Sequence, residues 1–305
     1  MTLVKPADHA LRMERALLSL EGLSVGDAFG ERFFLPLRTA VSAIEARAMP
    51  LAPWKYTDDT EMALGIFQVL EEHGRIEQNA LARVFAARYR ENPHRGYGET
   101  ALQILEAFSA EVPWHWVSPH VFDGTGSKGN GGAMRVGPLG AYFAGELDKV
   151  VSEARASAEV THFHPEGQAG AIAIAVAAAW ASQWRERQLP SQQLFDAVID
   201  HTPPGETRRG LERARALPLE TSPIEAAREL GSGQRVLSED TVPFSVWCAA
   251  RHLDSYEEAL WSTVSGLGDR DTTCAIVGSI VALSAGRESI PPAWIEARER
   301  LKMKV

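Results

Sequence analysis

Gly167-Gln168-Ala169-Gly170-Ala171-Ile172-Ala173-Ile174-Ala175-Val176-Ala177-Ala178-Ala179-Trp180-Ala181-Ser182-Gln183-Trp184 is apolar or small on nearly every face. A surface helix carries one apolar stripe, whereas a helix without a polar face belongs in the interior. The stretch therefore predicts a fully buried helix around which the rest of the chain packs. Its apolar run, Ala169 to Ala181, is shorter than the roughly 20 residues a bilayer crossing needs, so no membrane partner is expected.

Outward from this helix the pattern stays helical. Residues 9–29 carry Leu11, Leu17, Leu18 and Leu20, followed by Gly22, Gly26 and Gly30, a spacing that lets another backbone come close. Thr57 and Asp58 start a further helix, with Glu61 completing a capping box and Gly74 as the stop. Residues 77–91 and 98–109 predict amphipathic helices. Residues 201–243 predict connected short helices, and Pro243 to Leu253 and Tyr256 to Val264 two more. Residues 111–135 differ. Val112 to Trp116 is irregular, and Gly124, Gly126, Gly129, Gly131 and Gly132 are too dense for a helix, which predicts a loop able to wrap a ligand. No alternation long enough for a sheet occurs, so the class is all-α.

Of 305 residues, 45% are hydrophobic, enough for a substantial core. Lys and Arg number 31 against 40 Asp and Glu, a net charge of −9 without the basic stripe that nucleic-acid binding requires. Cys248 and Cys274 stand singly in apolar segments, as buried thiols of a reducing compartment do. Met1 to Arg15 lacks a signal-peptide core. A cytoplasmic protein, as a monomer, is expected.

Two acidic stretches lie more than two hundred positions apart: Thr57-Asp58-Asp59-Thr60 and Gly268-Asp269-Arg270-Asp271-Thr272. Each precedes an apolar helical segment. Taken singly, a carboxylate pair at a helix start is an ordinary cap that suits the positive end of the dipole. Two such pairs converging would place four carboxylates and two threonine hydroxyls in one pocket. That charge needs a cation, and hard oxygen ligands select Mg²⁺, Mn²⁺ or Ca²⁺. A two-cation site is expected.

These blocks, with Gly26-Asp27-Ala28-Phe29-Gly30 and Gly129-Asn130-Gly131-Gly132-Ala133-Met134-Arg135, resemble the ADP-ribosylglycohydrolase family. Its members are all-helical enzymes that remove ADP-ribose with a pair of divalent cations. Weaker similarity runs through His94 to Gly98, Thr161-His162 and Leu230 to Gly233. The blocks fall in the family's order and span roughly residues 15–286. The resemblance implies one compact orthogonal helical bundle over 1–305. It implies two Mg²⁺ or Mn²⁺ held by Thr57, Asp58, Asp59, Asp269, Asp271 and Thr272. It also implies that Gly126, Ser127, Gly129, Asn130, Gly131 and Gly132, with Met134, line the diphosphate and ribose site, where consecutive amides would form an anion-binding concavity.

The glycine-rich loop is nearer the family's serine-linkage branch. Phe122 matches an aromatic placed against adenine, or plugs the core; His162 matches a position near the distal ribose, or holds a structural hydrogen bond. Arg135 reaches phosphate or pairs with an acid. Three departures stand out. Phe34 occupies the place, seven residues after Asp27, where the family commonly has a glutamate, and Glu31 is the candidate replacement. Lys128 replaces a tyrosine and adds a phosphate-seeking charge. Leu267 and Arg270 replace small or neutral residues. At about 4 Å and an effective dielectric near 20, each unit-charge repulsion from an inward Arg270 would cost about 4 kcal/mol, so it is expected to turn away.

The implied activity is hydrolysis at the anomeric carbon of an ADP-ribosyl group, through an oxocarbenium-like transition state. The cations would orient the sugar, and Asp58 or Asp59 would accept the proton of the attacking water. The substrate is ADP-ribose on a protein side chain or a small conjugate, with arginine, serine, base and O-acetyl linkages all open. A nucleic acid enters only when it is itself ADP-ribosylated. Two rival readings are a non-catalytic ADP-ribose binder and a metal-dependent nucleotide-diphosphate phosphohydrolase.

Overall fold

The computed structural model describes residues 5–187 and 189–304. The helices that position the site are α1 (His9–Glu31), α2 (Asp58–His73), α3 (Gln78–Glu91), α4 (Glu99–Ser109), α5 (Leu147–Glu159), α6 (Pro165–Arg187), α7 (Ser238–Arg251), α8 (Tyr256–Ser265) and α9 (Arg270–Ala285). Further helices fill the intervals, including Leu37–Glu45, Gln192–His201, Glu206–Ala216 and Pro223–Leu230. Among the described residues there is no strand. Two isolated bridges occur, Trp54 with Arg298 and Gly129 with Leu237. Residues 1–4, part of the Met1–Arg15 leader reading, lie outside the described residues.

α6 is the interior helix that its composition demands, with Ala169 and Ala171 to Ala181 all buried. Small side chains let its neighbours approach. A Cβ on Gly140 would lie 2.1 Å from the Ala175 carbonyl oxygen, so only hydrogen fits there. Among the described residues no helix is long and apolar enough to cross a membrane.

The α1–α9 pair sets up the site. A Cβ at Gly22, Gly26 or Gly30 would lie 2.3, 2.2 or 2.2 Å from the carbonyl oxygens of Gly278, Cys274 and Arg270. One glycine per turn of α1 thus brings two backbones into contact. The C-terminal end of α1 meets the N-terminal end of α9, which carries Asp269 to Thr272 toward Asp27. Cys248 and Cys274 are free and buried, as expected.

Three local expectations are corrected. The Asp58–Glu61 capping box does not form: Thr57 is the N-cap of α2, its hydroxyl accepting from the Asp59 N–H. Glu61 is fully buried and pairs with Arg88 at 3.2 Å and Arg95 at 3.5 Å, since a carboxylate inside the core needs cations more than a cap. Helix α7 begins at Ser238, and Pro243 sits inside it. The proline ring packs on Gly210, whose Cβ would fall 2.4 Å from Pro243 Cγ, so tertiary contact holds a helix that local propensity would break. The glycine-dense loop is interrupted at both ends. Trp114–Val117 and Gly131–Met134 each form one helical turn, the second closed by Ala133 and Met134 N–H donating to the Asn130 carbonyl.

Candidate active site

Asp27, fully buried on α1, organises the first acidic block. Its carboxylate accepts from the Thr57 N–H at 3.0 Å, the Thr57 hydroxyl at 2.9 Å and the Thr60 N–H at 3.1 Å, and also from the Thr60 hydroxyl. These bonds lock the first turn of α2 and leave Asp58 facing a cavity while Asp59 is sealed beneath it. The Thr57 hydroxyl also lies 3.0 Å from Asp59 Oδ2. One hydroxyl proton therefore stands between two carboxylates, which is satisfied when one of them is protonated. Burial, opposed by the threonine bonds, raises the Asp27 pKa to about 6. Burial and the charge of Asp27 raise Asp58 to about 8, while burial and Asp271 raise Asp59.

The second block enters through a tight turn, with Leu267 and Gly268 at φ 59° and 65°. The Asp269 N–H donates to the Ser232 carbonyl at 3.0 Å. Burial raises both Asp269 and Asp271, and the charge of Asp269 adds to the rise of Asp271. Across the gap, the Thr272 hydroxyl reaches Asp59 Oδ2 at 3.5 Å, joining the two blocks. Asp59 Oδ1 and Asp271 Oδ1 are buried without a hydrogen-bond partner. Among the described residues, no three His, Cys, Asp or Glu side chains form a finished metal cage. Arg270 turns away from the acids, its Nη1 donating to the Phe33 carbonyl at 2.6 Å.

Both blocks border a cavity of about 780 Å³ whose wall takes Asp58, Asp269, Asp271 and Thr272, with Thr57 and Asp59 behind. The glycine-rich loop supplies another wall through residues 126–131, together with Met134, Arg135 and His162, and Phe122 stands half-exposed on it. Several expected contacts differ in detail. Gly132 is not on this wall; it packs toward α6, where a Cβ would lie 3.3 Å from the Gly167 carbonyl oxygen. The amides of Gly129 and Asn130 are already used, donating to Ser127 Oγ at 3.2 Å and the Val236 carbonyl at 3.1 Å. The Asn130 side chain holds Asp269 Oδ2 at 2.7 Å, so this loop braces the second acidic block. Lys128 is paired with Glu239 at 3.2 Å, which offsets the phosphate-seeking charge. Glu31 is exposed at the end of α1, near enough for its charge to raise Asp58.

Arg135 borders the cavity and pairs with no acid. It is fully buried, its guanidinium 4.7 Å from the centroid of Phe85, with no carboxylate bonded to it. Its Nη2 donates to the Ser157 carbonyl at 3.0 Å and to Thr161 Oγ1 at 2.8 Å. Thr161 Oγ1 in turn lies 2.8 Å from His162 Nδ1. Burial, with the Arg135 charge adding to it, lowers His162 to about 3, so the ring is neutral. Asp27 and Thr161 are the residues sequence reasoning missed as parts of the site. Both stand inside motifs it quoted, but nothing local marks a side chain that serves a distant block.

Comparison with known proteins matches this geometry to one family. A family model described as ADP-ribosylglycohydrolase matches residues 8–304. ADP-ribosylhydrolase ARH3 of Xenopus tropicalis is 30% identical, covering 81% of this chain and 78% of its own length. ADP-ribosylhydrolase ARH3 of Homo sapiens is 28% identical, covering 80% of this chain and 74% of its own. ADP-ribosyl-[dinitrogen reductase] glycohydrolase of Rhodospirillum rubrum is 24% identical over 96% of this chain and 92% of its own. The solved structure of an ADP-ribosylglycohydrolase-related protein complex superposes with a TM-score of 0.65, at 24% identity, over 94% of this chain and 93% of that one, which establishes the shared fold.

Proposed function

The chain belongs to the ADP-ribosylglycohydrolase family, and from that premise we propose that it hydrolyses the bond between ADP-ribose and a protein side chain or small conjugate. The single observation that carries the reading is the joining of two distant acidic blocks at one cavity through Thr57, Asp59 and Thr272.

The residues present suit divalent cations as a donor set. They offer hard carboxylate and hydroxyl oxygens, and two buried carboxylate oxygens, on Asp59 and Asp271, have no protein partner. Thr57, Asp58 and Asp59 from one side and Asp269, Asp271 and Thr272 from the other would hold two Mg²⁺ or Mn²⁺. Substrate and water oxygens would complete the coordination, in keeping with the lack of a finished cage among the protein groups. When bound, such ions supply positive charge that orients ribose hydroxyls and makes water more acidic.

The chain's own groups do the rest. Asp58 faces the cavity and accepts a proton from the attacking water. The acidic wall favours the positive charge that develops at the anomeric carbon. The glycine-rich loop and Phe122 hold the diphosphate and adenine, and Glu31 adds a rim carboxylate. The whole of 1–305 acts as one domain, as a cytoplasmic monomer; two free thiols suit a reducing compartment.

The test is incubation with Mg²⁺ and a panel of arginine-, serine-, base- and O-acetyl-linked ADP-ribose conjugates, followed by mass spectrometry. Free ADP-ribose is the expected product. AMP with ribose phosphate would mean a phosphohydrolase instead. Binding without product would mean a non-catalytic binder, a reading that Phe34 in the family's glutamate place supports.

A further inference from the structure

We infer that Arg135 and Thr161 are positioning residues that fix His162 in its Nε2–H tautomer, so that the ring presents a hydrogen-bond donor to an oxygen of the substrate. The role toward substrate rests on the reading that the cavity takes ADP-ribose; the tautomer itself does not.

A guanidinium has donors and no acceptor. With Arg135 Nη2 at 2.8 Å, the Thr161 oxygen must accept. Arg135 cannot swing away, because it is fully buried, sits against the Phe85 ring and spends the same nitrogen on the Ser157 carbonyl. Thr161 has one hydroxyl proton and is itself buried. The remaining partner of its oxygen is His162 Nδ1, at 2.8 Å. If Nδ1 carried a proton, the Thr161 oxygen would accept twice and its own proton would have no acceptor in a buried site, which is costly. The hydroxyl therefore donates to Nδ1, and in a neutral ring the proton resides on Nε2. The guanidinium also opposes a second proton, since it lies one hydroxyl away.

The Nε2 edge faces the glycine-rich loop. A Cβ at Gly131 would lie 2.9 Å from Nε2 and 2.7 Å from Cε1, and a Cβ at Gly129 would lie 3.3 Å from Nε2. Two glycines thus leave that edge of the ring open where it borders the cavity. A neutral donor there selects an acceptor oxygen, such as a ribose hydroxyl or phosphate oxygen, without adding charge beside the acidic blocks.

The test combines ¹⁵N-histidine NMR with calorimetric binding of ADP-ribose, on the wild type, Thr161→Val and Thr161→Ser. His162 is assigned by the signal lost in His162→Gln. The wild type and Thr161→Ser should show the Nε2–H shift pattern and similar affinities. Thr161→Val, which keeps shape and loses the hydroxyl, should show a mixed or Nδ1–H pattern and about tenfold weaker binding, the equivalent of about 1.4 kcal/mol. An Nδ1–H wild type overturns the inference, as does a Thr161→Val protein that keeps both tautomer and affinity. If Thr161→Val fails to fold, the wild-type and Thr161→Ser spectra still decide. A wild type that shows the Nε2–H ring but binds no ADP-ribose would overturn the reading of the cavity, and with it the substrate role, while leaving the tautomer assignment standing.

Discussion

The guanidinium of Arg270 lies 4.9 Å from the ring centroid of Phe34. They belong to two of the three departures from the family pattern, and they meet each other. Phe34 supplies an aromatic face beyond the end of α1, and the Phe33 carbonyl accepts a hydrogen bond from the guanidinium. The positive charge between Asp269 and Asp271 in sequence is thereby turned out of the acidic cluster in space. Arg270→Ser should leave Mg²⁺ affinity within about twofold by calorimetry, while costing about 1–2 kcal/mol of stability through the lost ring contact and hydrogen bond. A large gain in Mg²⁺ affinity would mean that the charge acts on the cations after all.

Asp271→Ala should reduce kcat/KM by at least about a thousandfold, an effect of about 4 kcal/mol on the barrier. The fold should survive, because Asp271 Oδ1 has no partner to lose and one like charge leaves the cluster. Activity and thermal unfolding measured on one preparation separate the cases. A collapsed melting temperature with no specific loss of turnover would make the residue structural.

The acidic cluster also sets a pH dependence. Asp27 and Asp58 are raised from 3.8 to about 6 and about 8 by burial, so the folded protein holds protons there that the unfolded chain has released. The contribution of these two groups to the stability of the metal-free protein is then fully present below pH 3.8 and is lost as pH rises through about 6 and about 8, because the folded state must give up protons it prefers to keep. In chelator, the melting temperature should fall between pH 5.5 and pH 8.5. Mg²⁺ should raise it more at the higher pH and should release protons into a weakly buffered solution at neutral pH. A metal-free protein equally stable at both values would contradict the burial assigned to these carboxylates.

Gly131→Val should weaken ADP-ribose binding at least about tenfold, since the new Cβ would meet His162 Cε1 at 2.7 Å and force the ring from its place. Direct obstruction of a ligand at the loop backbone would give the same outcome for another reason. The two differ in the free protein. Displacement of His162 shifts its NMR signals without any ligand, whereas simple obstruction leaves them unmoved.

Much of this was legible in the linear chain because it depends on short-range periodicity. The buried character of α6 is written in the lack of any polar face from Gly167 to Trp184, and the glycine spacing of α1 announces a close neighbour. The carboxylate and threonine character of the two acidic pairs was legible in the same way, and the structure brings both pairs to one cavity. What the chain alone left open was set by partners far away in sequence. Glu61 leaves its cap because Arg88 and Arg95 reach it inside the core. Pro243 stays in a helix because Gly210 receives its ring. Arg135 becomes a buried brace because Ser157 and Thr161 lie beside it. Asp27 gathers Thr57 and Thr60 only once α1 and α2 have packed. The sequence by itself determined most of the helical segments and the side-chain types available to a site, since propensity and side-chain type are local properties. Only the tertiary structure decided where each buried polar group finds its partner, because removal from water makes every such group seek a donor, acceptor or countercharge wherever the fold supplies one.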